Sequence, residues 1–446
     1  MGKKPDLSQE TNESQTSKKK SSSKVLYSVL AAVLAVVCFI GGALVSRMTL
    51  DSEMRSLIRL KTAIQQKYYE EVTDEEFYGV IFGAINGELL DDYSWYMTAD
   101  EYAETQLGAA GNQSGLGLVF LTETGTGEEQ MLITRVCGNS PAEAAGIAEG
   151  DLLVGFGASE TDIQESRSFE SFSTFLAEYE TGEKLYLKVQ TGNQTRVVEI
   201  ARENYVENYV FYRTHTQSYR FTGEGATELT EGGAPLASLP DDTAYIRLTQ
   251  FNGAAAEEFA QAMDLFREQG KKKLVLDLRD NGGGYLHIMQ TIASYFCKDT
   301  DEKKPTVAVA DYGERKEYFK ADGNYYDEYF DENSRICVLA DNMTASASEA
   351  LIGCMLDYKA ITYGDICLSE RSGEIKTYGK GIMQTTYPFG LINADAVKLT
   401  TARICWPITN TCIHGRGVLP TDGALSVAEE RIGDTEITAA IQALFS

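Results

Sequence analysis

Along residues 52–106 the apolar positions recur three and four apart: Met54, Leu57, Ile58 and Leu60, then Tyr68 and Tyr69, then Phe77, Val80, Ile81, Ala84 and Ile85. That repeat predicts amphipathic helices. Thr73-Asp-Glu-Glu76 before the last run predicts a helix start, because the Thr side chain and a Glu three residues later satisfy each other's free backbone N–H groups. A Gly, Asn and Ser cluster at 108–115 closes this unit, assigned to residues 50–108. Between 113 and 202 the pattern changes to short strand-like runs, LGLVFL, QMLITRV, DLLVGF and KLYLKVQ. Pro141 to Gly146 interrupts them as a short helix ended by glycine, so one compact β-rich module is predicted. From 203 to 446 the strands YIRL, KLVLDLR and ICVLA alternate with helical stretches such as AAAEEFAQAMDLFREQG and SASEALIGCMLDY. Strand and helix in alternation predict an α/β layer fold with a largely parallel sheet. The Gly- and Thr-rich stretch 222–239 reads as an exposed loop or hairpin.

The first fifty residues follow a different pattern. Val25 to Val45 is 21 residues without a charge, long enough at about 1.5 Å per residue to cross a hydrocarbon core. Residues 1–24 carry six lysines against three acidic residues. Positive charge stays in the cytoplasm, so the expected topology is a cytoplasmic tail at 1–24, a transmembrane helix at 25–45 and everything after it outside the cell membrane. A cleaved signal peptide is the rival; Gly41, Gly42 and Ala43 suit it, and Arg47, Met48 and Leu50 do not.

Composition narrows the classes. The 446 residues hold 40 Lys and Arg against 66 Asp and Glu, a net charge of −26, which excludes a general nucleic-acid binder because such proteins need a basic face toward phosphates. Seven cysteines follow the apolar segment, an odd and scattered set that is not a disulfide framework. Cys405 and Cys412 flank a turn and suit either a bridge or two half-buried thiols. With no Cys-x-x-Cys, a structural zinc site is not expected, nor is a cofactor.

Three segments bear on chemistry. Ser346, in Thr344-Ala-Ser-Ala-Ser-Glu349, follows an apolar strand and opens a helix. Strand C-termini and helix N-termini converge at the ligand crevice of an open α/β sheet, and a helix N-terminus stabilises a nearby oxyanion. Position alone fits a capping serine equally well. None of the three histidines sits where it marks a base, whereas a lysine whose pKa is lowered by burial serves that role. Lys380, between Gly379 and Gly381, is the candidate, with Gln384 four residues on to orient its amine; alone, it reads as an exposed turn lysine. Leu274 to Gly284 (LVLDLRDNGGG) is a buried strand running into glycines, whose bare N–H groups suit an oxyanion or a phosphate.

Together these segments resemble the C-terminal processing (tail-specific) protease family, over about residues 52–430. The resemblance rests on an ordered set: Asp92-Tyr-Ser-Trp-Tyr96, Gly115-Leu-Gly-Leu-Val119, Ser140-Pro141 with Gly150-Asp151, Tyr245-Ile-Arg-Leu248, the DLRDNGGG strand, TASASEA, GKG with Gln384, and Gly417-Val-Leu-Pro420. It implies an α/β catalytic core, ClpP/crotonase-like, with an inserted β-rich PDZ domain at 113–202. It further implies Ser346 as nucleophile, Lys380 as general base, Gln384 as its partner, and the N–H groups of Gly284 and Ala347 as oxyanion hole. Leu116, Gly117, Leu118 and Val119 are then the peptide-binding stretch, and the partners are protein substrates with exposed C-termini, with self-association compatible with this arrangement. Two other readings are a catalytically inactive, extracytoplasmic scaffold for C-terminal peptides and an acyl-CoA hydrolase or hydratase on a related core. The stretch from Cys367 to Tyr378 is longer than the family pattern, and Gly282 stands where that pattern has proline.

Overall fold

The computed structural model describes residues 51–121, 130–222, 225–229, 236–371, 373–391, 394–427, 437–438, 441–442 and 445. The apolar segment 25–45 lies outside them; among the described residues no helix is long and apolar enough to cross a membrane. The chain divides after Glu88 into two compact units. The described part of the first holds helices Ser52–Lys67 and Asp74–Ala84. The second of these starts at the expected capping box, with Glu76 N–H donating to Thr73 Oγ1 and Thr73 N–H to Glu76 Oε2.

In the second unit, the described residues between 118 and 201 form a six-stranded antiparallel sheet with two short helices, Pro141–Ala144 and Phe169–Ala177. Alternate residues of its strands, Met131, Ile133, Leu185, Leu187 and Val189 among them, point inward onto Phe156 and Phe172, as the period of two requires. Strand Leu118–Leu121 is an edge of this sheet.

The α/β core is an eight-stranded sheet among the described residues. Strands Thr243–Leu248, Lys273–Asp277, Arg335–Ala340, Ile366–Ser369 and Leu425–Val427 run parallel and adjacent in that order; three antiparallel strands from 210–228 extend it. Both faces are covered, which is why the central strands read as continuous apolar runs rather than alternating ones. On one face Leu274, Leu276, Ile336 and Val338 pack under helices Ala255–Glu268, Leu286–Ala293 and Ala347–Asp357. On the other, Tyr245, Val275, Cys337 and Leu339 meet Leu236, Leu239, Ile437 and Ile441. A second, antiparallel sheet carries the strands that matter for the site: Ala396–Cys405 at its centre, Ile382–Pro388 beside it, and the short strand Trp95–Met97. The helical spacing of residues 52–106 did not predict that last strand, whose partner lies 300 residues away.

Candidate active site

The parallel topology brings two turns together at the C-terminal ends of adjacent strands. Strand Lys273–Asp277 runs into Asn281-Gly-Gly-Gly284, and its neighbour Arg335–Ala340 runs into the loop that ends at Ser346. Asn281, fully buried, rivets them: its Oδ1 accepts from Gly283 N at 2.9 Å, its Nδ2 donates to Leu248 O at 2.8 Å, and its carbonyl accepts from Ala345 N at 3.0 Å. Ser348 Oγ donates to that same carbonyl at 2.9 Å and is itself fully buried. Ser348 is thus part of the scaffold, and Ser346 is the serine of this run that faces open space. Gly283 is required here, because a Cβ would come within 2.8 Å of Ser346 Cβ.

Ser346 stands at the N-terminus of helix Ala347–Asp357 with φ 60° and ψ −114°. A non-glycine residue in that region is strained, at a cost of about 1–3 kcal/mol that the surroundings must overcome. The main contributor is Glu349, a buried carboxylate that accepts Ser346 N–H at 3.0 Å, Gly379 N–H at 2.8 Å, Lys380 N–H at 2.9 Å and Thr377 Oγ1–H at 2.6 Å. One side chain therefore ties the serine turn to the lysine turn. Burial raises the Glu349 pKa, and these four donors act against that rise. Sequence reasoning did not single it out, although the Ser-x-x-Glu spacing of a capping box was its signal.

Ser346, Ala347, Gly282, Gly284, Lys380 and Gln384 line one cavity of about 830 Å³. Neither Gly284 N–H nor Ala347 N–H donates to an acceptor among the described residues. The Lys380 amine is half-buried and stands 4.6 Å from the centre of the Tyr93 ring, whose hydroxyl is 3.0 Å from that of Tyr378. It makes no hydrogen bond to Ser346 Oγ. Burial, and then the charge of Lys398, lower the Lys380 pKa, against the opposite pull of Asp91 and Glu349. Gln384 Nε2 donates to Thr400 Oγ1 at 3.2 Å, and so reaches the neighbouring strand rather than the Lys380 amine. The long segment before Lys380 is docked: Arg371 reaches Asp280 at 2.8 Å, and Tyr378 N–H donates to Thr344 O at 3.0 Å. Lys376 pairs with Glu374 at 3.1 Å. Cys405 and Cys412 are both free thiols, the first buried and the second half-buried. Leu116, Gly117, Leu118 and Val119 line a separate groove of about 460 Å³ beside helix Phe169–Ala177.

A strained serine at a helix N-terminus, two unused N–H donors and a half-buried amine around one cavity are components of acyl transfer. Residues 242–422 match peptidase family S41. Over 430 residues the chain is 27% identical to the "Probable CtpA-like serine protease" of Staphylococcus saprophyticus, across 93% of this chain and 77% of that protein. It is also 27% identical to the chloroplastic C-terminal processing peptidase of Tetradesmus obliquus, across 74% of this chain and 65% of that protein. The chain matches the C-terminal processing protease family. It is a serine-type peptidase. The fold agrees with the solved photosystem II D1 C-terminal processing protease, with a TM-score of 0.50 at 22% identity over 89% of this chain and 98% of that one. The chain spans less than two thirds of the algal peptidase's length.

Proposed function

We propose that this peptidase cleaves protein substrates that present an exposed C-terminal tail, with Ser346 as nucleophile and Lys380 as general base. The neutral Lys380 amine takes the Ser346 proton as Oγ attacks the scissile carbonyl. The N–H groups of Gly284 and Ala347 hold the oxyanion, Lys380 returns the proton to the leaving amine, and water then releases the acyl group with Lys380 again as base. To do this the amine leaves the Tyr93 ring and turns to Ser346, a shift of the kind catalytic groups make when substrate fills the site. Gln384 holds Thr400, which in turn bonds Ser94 next to the Tyr93 ring that lies under the Lys380 amine. The observation that carries this reading is the strained Ser346 sharing a cavity with a half-buried lysine and two unused N–H donors.

The base makes the pH dependence a test. A lysine held below its ordinary value of about 10.4 gains its active, neutral form as pH rises through the lowered value. The expected kcat/KM of wild type rises roughly tenfold per pH unit along an alkaline limb that levels off below the ordinary lysine value. A flat profile between about pH 6 and 10 contradicts a lysine base.

Residues 113–202 act in this proposal as a PDZ domain inserted before a ClpP/crotonase-like core at 203–446. The substrate's terminal carboxylate meets the N–H groups of Leu116, Gly117 and Leu118, and the tail adds as a strand to the edge Leu118–Leu121. Gly117 has φ 80°, and a Cβ on it would fall 2.1 Å from Ser140 Cβ, so Gly117→Val displaces the loop. The expected result is at least about tenfold weaker binding of a tail peptide by fluorescence anisotropy, with cleavage of a short peptide lacking the tail retained. The apolar segment 25–45 is proposed to anchor the chain, with residues 1–24 in the cytoplasm and the catalytic unit outside the membrane.

A further inference from the structure

The catalytic cavity holds a second lysine. Lys398 lies in strand Ala396–Cys405, opposite Trp95 on one neighbouring strand and Thr386 on the other. It lines the same cavity as Ser346 and Lys380. Its Nζ stands 4.2 Å from the centre of the Trp95 ring, as Lys380 Nζ stands over Tyr93. The segment Tyr93-Ser-Trp95 thus offers one ring to each ammonium. Buried Ser94 pins that segment to the strand, its Oγ accepting Thr400 N–H at 2.8 Å. In a chain with 66 acidic side chains to 40 basic ones, neither lysine has a carboxylate within 4.0 Å among the described residues. An aromatic face favours an ammonium by about 0.5–2 kcal/mol without neutralising it. Two like charges drawn toward one low-dielectric space each disfavour the other's charged form.

We propose that Lys398 is a positioning residue that keeps Lys380 in its amine form, its own charge, held over Trp95, penalising a second ammonium in the cavity. The inference rests on Lys380 being the general base. The groups that face Lys380 set the balance. Asp91 and Glu349 favour its ammonium, while burial and Lys398 oppose it. Tyr93, whose own pKa burial pushes up to about 12, stays neutral, with its hydroxyl occupied by Tyr378. Burial lowers the Lys398 pKa as well, and the repulsion between the two ammoniums is mutual; the indole beneath Lys398, nearer and a stronger cation–π partner than the phenol beneath Lys380, keeps the single remaining charge on Lys398.

The test is the pH dependence of kcat/KM on a tailed substrate for wild type, Lys398→Gln, Lys398→Met and Lys398→Arg, with Met keeping the aliphatic stem over Trp95. Gln and Met are expected to move the rising limb up by about one pH unit, which is about a tenfold loss on its acid side, with the wild-type value recovered on the alkaline plateau. Arg is expected to restore the wild-type limb. An unmoved limb in both neutral variants overturns the proposal, as does an equal loss at every pH, which is what a substrate contact or a merely structural side chain gives. Should the neutral variants fold poorly, the rate at which a fluorophosphonate modifies Ser346, followed against pH on the folded fraction, reads the same limb without turnover. Lys380→Ala separates the two failures: retained turnover there defeats the general-base reading, whereas an inactive Lys380→Ala with an unmoved Lys398 limb defeats this inference alone.

Discussion

Ser346→Ala and Lys380→Ala are each expected to lower kcat/KM for a tailed substrate by about 10⁴-fold or more, with no change in the tail-peptide affinity of the groove at Leu116 to Val119. Both side chains are partly exposed to the cavity and carry no load in the core. Neither truncation removes a hydrogen bond of the scaffold, since the bonds that fix these two turns use the main-chain N–H groups of Ser346 and Lys380, not their side chains. Circular dichroism and thermal unfolding should therefore coincide with wild type. The double variant should be no slower than either single one, because a nucleophile and its base act as one unit. Ser348→Ala is the informative contrast. It removes a buried bond to Asn281 O and is expected to cost about 1 kcal/mol of stability while turnover persists.

The second large effect is expected at Glu349. Replacing it by Gln keeps the volume but turns one of two accepting oxygens into a donor, facing N–H groups that are themselves donors. At least one of the bonds from Ser346, Gly379 and Lys380 is then lost in a site closed to water. The expected loss is about 1–3 kcal/mol of stability by denaturant unfolding, more for Ala, which leaves every one of these donors unpaired. The kinetic loss should exceed the stability loss. Once the carboxylate no longer spans the two turns, the strained φ of Ser346 relaxes and the lysine turn drifts, so kcat should fall by about 10²-fold or more with KM little changed. Loss of stability with kcat intact would mean that Glu349 serves the fold alone.

Much of this arrangement was legible in the chain, for identifiable reasons. The short strand-like runs of 113–202 and the strand and helix alternation after 203 are local signals, and both elements and layers follow them. The ordered motifs brought Ser346, Lys380, Gln384, Gly284 and Ala347 forward together, and all five line one cavity. Contacts between residues far apart in the chain were not legible. Trp95–Met97 is three residues long and pairs with 396–398, so no window of local periodicity contains its partner. The Lys398 of that pairing looks like any polar residue of an alternating strand. Glu349 carried a local signal, but the spacing of an ordinary helix cap hides the fact that its carboxylate also holds Gly379 and Lys380. The positions of Tyr93 beneath Lys380 and of Thr400 beside Gln384 likewise depend on sheet register.

The most direct measurement is mass-spectrometric mapping of a fluorophosphonate adduct on the wild-type enzyme, on Lys380→Ala and on Ser346→Ala, across a pH series. A serine made nucleophilic by a neutral amine predicts one adduct, on Ser346, forming faster as pH rises and at least about 10²-fold slower in Lys380→Ala. An adduct on Ser348, or labelling of Ser346 at an unchanged rate without the lysine, would contradict it.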